Sequence, residues 1–176
     1  MADFEQAFEW IKKAEGGLVN DPVDPGGLTN MGITWGLFKG ISLPLLNLAP
    51  IHENLINLTV SQAKIIYRRM FWDEMRGDLI NSQKIANVIF DSYVNLGEPA
   101  LKIAQRILSV KDDGVFGRIT LLTLNGFREQ GFLDKFEMAR LNYYENLTIK
   151  NPKLKKFLQG WKNRVLRLKN FIKRIK

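Results

Sequence analysis

Glu15-Gly16-Gly17-Leu18-Val19-Asn20-Asp21-Pro22-Val23-Asp24-Pro25-Gly26-Gly27-Leu28-Thr29-Asn30-Met31-Gly32-Ile33-Thr34 is the stretch around which the chain is organised. Ahead of it, Phe4, Ala7, Phe8, Ile11 and Ala14 recur at helical spacing behind Asp3, a suitable N-cap. Glu15 closes that helix and Gly16-Gly17 stop it. A carboxyl there meets the negative end of the helix dipole, which disfavours its ionised form. Burial against apolar neighbours acts in the same direction, and a retained proton is what a general acid needs. The rest of the stretch reads as a glycine- and proline-rich hairpin. Pro22 and Pro25 exclude a central sheet strand, and Pro25-Gly26-Gly27 supplies a tight turn.

Such a hairpin can hold Asp21, Asp24, Thr29 and Asn30 opposite Glu15. One carboxyl at a helix end and a second on a facing hairpin form a workable layout for breaking a glycosidic bond. The competing reading keeps Glu15 as a solvated last-turn residue and gives the aspartates only turn hydrogen bonds.

The ordered run Glu15-Gly16-Gly17, Asp21-Pro22, Asp24, Gly26-Gly27-x-Thr29 and Gly32-Ile33-Thr34 resembles the signature of glycoside hydrolase family 108. The resemblance implies a mainly α, lysozyme-like helical fold with a small β-hairpin near the N-terminus. It also implies N-acetylmuramidase activity of the kind found in phage endolysins and bacterial secretion helpers, with Glu15 as the catalytic acid. Asp24 is the expected second carboxylate, with Asp21 in reserve and lining the substrate site beside Asn30. Thr29 is expected to position water or donate a hydrogen bond.

Cysteine is absent and His52 is the single histidine, so thiolate and His-rich metal sites and disulfides are excluded. A Ser-His-Asp triad is disfavoured for the same reason. His52 reads as a structural or exposed loop residue. No metal or cofactor is expected. No cleavable signal is recognisable at the N-terminus, and no apolar run approaches the ~20 residues that span a bilayer. The expectation is a protein made in the cytoplasm that reaches the wall by export or at lysis. The formal charge of +8 is uneven: residues 150–176 hold 11 Lys or Arg and no acid, leaving 15 basic and 18 acidic residues elsewhere. A tail of that kind suits an anionic cell wall, nucleic acid or lipid surface.

Along the rest of the chain, Thr34 caps a short helix that Gly40 ends, and Pro44 and Pro50 break up residues 41–58 into short turns. Thr59-Val60-Ser61-Gln62 is a capping box for a helix bearing Ala63, Ile66, Tyr67 and Met70. Tyr67 and Trp72 are similar to an aromatic pair of family 108, and rings with polar edges suit sugar binding. The alternative places both in the core. Further helices begin near Gln83, at Glu98-Pro99, at Arg118, near Phe132 and at Pro152. The last carries Leu154, Leu158, Trp161, Val165, Leu168, Ile172 and Ile175 as a stripe that must bury against something.

Phe90-Asp91, Val94-Asn95-x-Gly97, Gln105, Asp113-Gly114-x-x-Gly117 and Thr120-Leu121 resemble the predicted peptidoglycan-binding domain that follows family 108 modules. The expected organisation is a catalytic lobe over residues 1–82 and a helical peptidoglycan-binding lobe over 83–176, packed as one unit and monomeric. The expected partner is the peptidoglycan glycan strand, with the basic C-terminal helix on anionic wall and no nucleic acid. A lytic transglycosylase and a non-catalytic wall-binding or secretion-assisting protein are the alternatives.

Overall fold

The structure is a computed structural model that describes residues 1–20 and 27–175. It is mainly helical, with one small sheet near the N-terminus, as a lysozyme-like fold requires. Asp21 and Asp24 lie outside the described residues. The chain divides into two compact units, Phe8–Met70 on one hand and Met1–Ala7 with Phe71–Lys176 on the other.

The smaller unit contains most of helix α1 (Phe4–Ala14), whose first turn is held by the Asp3 carboxylate accepting from the Glu5 N–H at 2.8 Å. Strands β1 (Val19–Asn20), β2 (Leu28–Asn30) and β3 (Ile33–Thr34) make an antiparallel sheet in that order. Val19 faces Thr29 across β1 and β2, and Asn30 faces Ile33 across β2 and β3. The second connection therefore has two residues, Met31 at φ 48° and Gly32 at φ 75°. Two left-handed residues in succession match the twist of a tight hairpin.

Thr34 caps α2 (Trp35–Leu46) by accepting from the Leu37 N–H. This helix does not end at Gly40 but continues through Pro44. Pro44 has no N–H to donate to the Gly40 carbonyl, a loss of one helical bond that does not end the helix. The end is fixed instead by Asn47 at φ 54°, with the Asn47 and Leu48 N–H groups donating to Leu43 and Ser42. His52, expected in a loop, opens α3 (His52–Ile56), and its exposed ring stands edge-on to Trp35 at 4.3 Å. The Thr59–Gln62 capping box starts α4 (Val60–Tyr67), which runs on as a π-helical turn over Arg68–Trp72.

The larger unit is built from α5 (Gln83–Leu96), α6 (Glu98–Ile107), α7 (Arg118–Gly126), α8 (Glu129–Lys150) and α9 (Lys155–Ile172). Pro99 occupies the opening turn of α6, where its missing N–H costs nothing. Pro152 begins a short 3-10 turn that leads into α9. The apolar stripe of α9 packs on α8 and α5, burying Val165, Leu168 and Ile172. Gln83 pins the N-terminal segment, accepting from the Asp3 N–H at 2.6 Å and donating to its carbonyl at 3.0 Å.

Two polar clusters organise this unit. Gln105, fully buried, accepts from the Gly114 N–H and donates to Asp113 and to the Val115 carbonyl. The Asp113-Gly114 loop is thus a turn locked to α6. Hydrogen bonds from the Val115 N–H and then Gln105 hold the Asp113 carboxyl down to about 2. Deeper, the buried Asp91 carboxylate lies between Arg140 at 2.6 Å and Arg164 at 2.8 Å. This triad ties α5, α8 and α9 together.

Candidate active site

Glu15 follows the last residue of α1, and its N–H still donates to the Ile11 carbonyl at 2.8 Å. The side chain is half-buried at the edge of a cavity of about 30 Å³. Phe8, Ile11, Met31, Val60, Ala63 and Tyr67 supply apolar wall, and Lys12 and Gly16 complete the lining. That space is on the scale of one water molecule.

Gly32 brings the site together. A Cβ at this position would sit 2.5 Å from the Tyr67 hydroxyl oxygen and 2.6 Å from Glu15 Oε2. The phenol and the carboxyl therefore converge on one point of backbone that only glycine can occupy. Tyr67 is almost completely buried, its ring 5.8 Å from that of Phe8. Its hydroxyl donates to the Met31 carbonyl at 2.8 Å. One tyrosine on α4 thus fixes the β2–β3 turn and stands beside the carboxyl that ends α1.

The other described candidates do not line this cavity. Thr29 is half-buried in the centre of β2, its hydroxyl donating to the Gly27 carbonyl at 3.2 Å. Asn30 points to the opposite face, as alternate strand residues must. It is buried, and its amide donates to the Leu55 and Ile56 carbonyls at 3.0 Å each. Those are carbonyls at the C-terminal end of α3, so Asn30 is a strut between sheet and helix rather than a free sugar ligand.

Trp72 has no exposed face. Its indole N–H donates to Asp78 at 2.8 Å, its ring meets Phe90 edge-on at 5.4 Å, and Gly77 closes over it. A sugar stacks on an open ring, so Trp72 belongs to the core. The sequence reading overlooked Gly32 as a site residue. The available signal was a glycine directly before Ile33-Thr34, where a turn must enter a strand.

Replacing Gly32 by Ala should keep the helical circular dichroism while cutting cell-wall lysis by roughly 10²-fold. Displacement of a catalytic group by about 1 Å costs that much. Wild-type lysis by the folded variant would show that the close approach does not constrain the site.

Comparison with known proteins identifies the family. The family described as Glycosyl hydrolase 108 matches residues 8–97, and a second, described as a predicted peptidoglycan domain, matches 99–166. No curated protein matches the chain. Among solved structures, SagA of Brucella abortus is similar, with 29% identity and a TM-score of 0.79 over 95% of this chain and 91% of its own. The first match spans half of the sequence and carries the whole of the Glu15 site: the chain belongs to the glycosyl hydrolase 108 family.

Proposed function

We propose that the protein is an N-acetylmuramidase that hydrolyses the bond between N-acetylmuramic acid and N-acetylglucosamine in peptidoglycan. The observation that carries this reading is the convergence of the Glu15 carboxyl and the Tyr67 hydroxyl at Gly32, beside a small cavity with mostly apolar walls. Membership of a glycosyl hydrolase family and the adjoining peptidoglycan domain supply the substrate class.

In this mechanism Glu15 gives its proton to the glycosidic oxygen as the carbon–oxygen bond breaks. Positive charge grows on the sugar ring, and a carboxylate on the other side stabilises it. Asp24 is our choice for that carboxylate, with Asp21 second. Either it bonds to the anomeric carbon, and water later releases the sugar, or it takes a proton from the attacking water. A carboxyl separation of ~5 Å corresponds to the first course, and ~6.5–9.5 Å to the second. Thr29 lies on the strand next to this segment and is the proposed hydrogen-bond partner of the water. Tyr67 shapes the sugar site through the turn it holds.

Lys155, Lys156 and Arg167 of α9 are exposed. These are proposed to draw the protein to anionic wall polymers. No described helix is long and apolar enough to cross a membrane, and the tail's apolar stripe has partners within the protein. It is buried on α8 and α5.

Two measurements test this reading. Mass analysis of muropeptides from digested peptidoglycan should show reducing N-acetylmuramic acid ends, and Asp24→Asn should be severely impaired. Ends lighter by one water, with an active Asp24→Asn variant, would mean that the sugar's own hydroxyl attacks and that no second carboxylate takes part. Wall binding should also weaken several-fold when salt rises from about 0.01 M to 0.15 M, because the Debye length falls from about 30 Å to 8 Å. Salt-independent binding would make the α9 charges bystanders.

A further inference from the structure

Met31 holds a backbone conformation that its residue type does not favour. Among the described residues, four that are not glycine have a positive φ: Met31, Asn47, Arg76 and Ser109. Asparagine enters that region readily, whereas a long apolar residue does so at a cost. The two-residue β2–β3 connection has positive φ at both positions, and Asn-Gly is the pair that serves such a turn best. Gly32 fits this pattern, and Met31 departs from it.

The strained residue stands at the site. Met31 lines the cavity beside Glu15, in company with Phe8, Ile11 and Tyr67. Its carbonyl accepts from the Tyr67 hydroxyl at 2.8 Å, so a buried ring on α4 fixes its backbone. The next residue, Gly32, makes the close approach to Glu15 Oε2. Methionine is a flexible apolar side chain that fills irregular gaps. Asparagine would relax the turn but set an amide into a mostly apolar wall. Backbone strain persists only where the surroundings enforce it, and it gathers at active sites.

We propose that Met31 is a positioning residue for the Glu15 carboxyl. Its side chain packs beside the carboxyl in the cavity and keeps it oriented toward the glycosidic oxygen. The turn gives up backbone ease to place that side chain, so stability and turnover pull in opposite directions at this one position. The role rests on Glu15 being the acid of a muramidase.

The test uses the full chain, with soluble peptidoglycan fragments as substrate and release of reducing ends as the readout. Met31→Asn should lower kcat roughly tenfold or more, as displacement of a catalytic group does, with KM within about threefold because the residue acts through Glu15. Its melting midpoint should hold or rise by about 2–4 °C, the shift expected when one strained position relaxes in a chain of this size. Met31→Gly, which also favours positive φ and adds no polar group, should lose turnover in the same way. Met31→Leu, close in volume, should keep kcat within about threefold while melting no higher than wild type. A merely structural role would make turnover follow the midpoint, with Asn and Gly as active as wild type or more so. That outcome would overturn the proposal, and so would a raised KM with kcat unchanged, which would make Met31 a sugar contact. Equal cleavage by wild type and Met31→Asn retires this role and leaves the muramidase reading standing. No cleavage by the wild type retires that reading, and this role with it.

Discussion

The candidate active site depends on one close approach, the packing of the Tyr67 hydroxyl and the Glu15 carboxyl against the bare Cα of Gly32. Three elements meet there: the end of α1, the β2–β3 turn and α4. Each is prepared locally. Gly16-Gly17 stops the first helix so that Glu15 stands at its negative end. Successive left-handed residues turn the strand within two residues. A capping box fixes where α4 begins, and hence where Tyr67 emerges. The Tyr67–Met31 hydrogen bond then makes the turn and the helix one object. Asn30 adds a second brace from the same strand to the end of α3.

The helical unit is held by a different principle. Asp91 on α5 binds arginines from α8 and α9, elements 49 and 73 residues away in sequence. A buried ion pair contributes little net stability, but losing one partner strands a charge at about 3–5 kcal/mol. The arrangement therefore fixes which helices meet more than how firmly they adhere.

Much of this was legible in the sequence. The Glu-Gly-Gly stop, the Thr59–Gln62 box and Pro99 at a helix start are local signals with local causes, and the structure has all three. The family resemblance at residues 15–34 is matched by the family assignment. Pro44 misled because a proline costs a helix one backbone bond and does not by itself end it. Trp72 and Asn30, both candidates for the sugar site, have packed surroundings that spacing could not foretell. Aromatic and amide groups serve sugars and interiors alike, and the choice depends on contacts with Phe90, Asp78 and α3 that sequence spacing does not encode. The Asp91 cluster was invisible for the same reason, since only the fold brings one carboxylate to two arginines.

The central claim is that the Glu15 carboxyl, held where α1, the β2–β3 turn and α4 converge, is the proton donor. Its most direct test is the rate at which Glu15→Gln clears a suspension of purified cell walls. The substitution preserves shape and removes the acidic proton. The account predicts a loss of about 10²–10⁴-fold, the usual contribution of general-acid catalysis, with unchanged circular dichroism and wall binding. Wild-type clearing by the folded variant would contradict it.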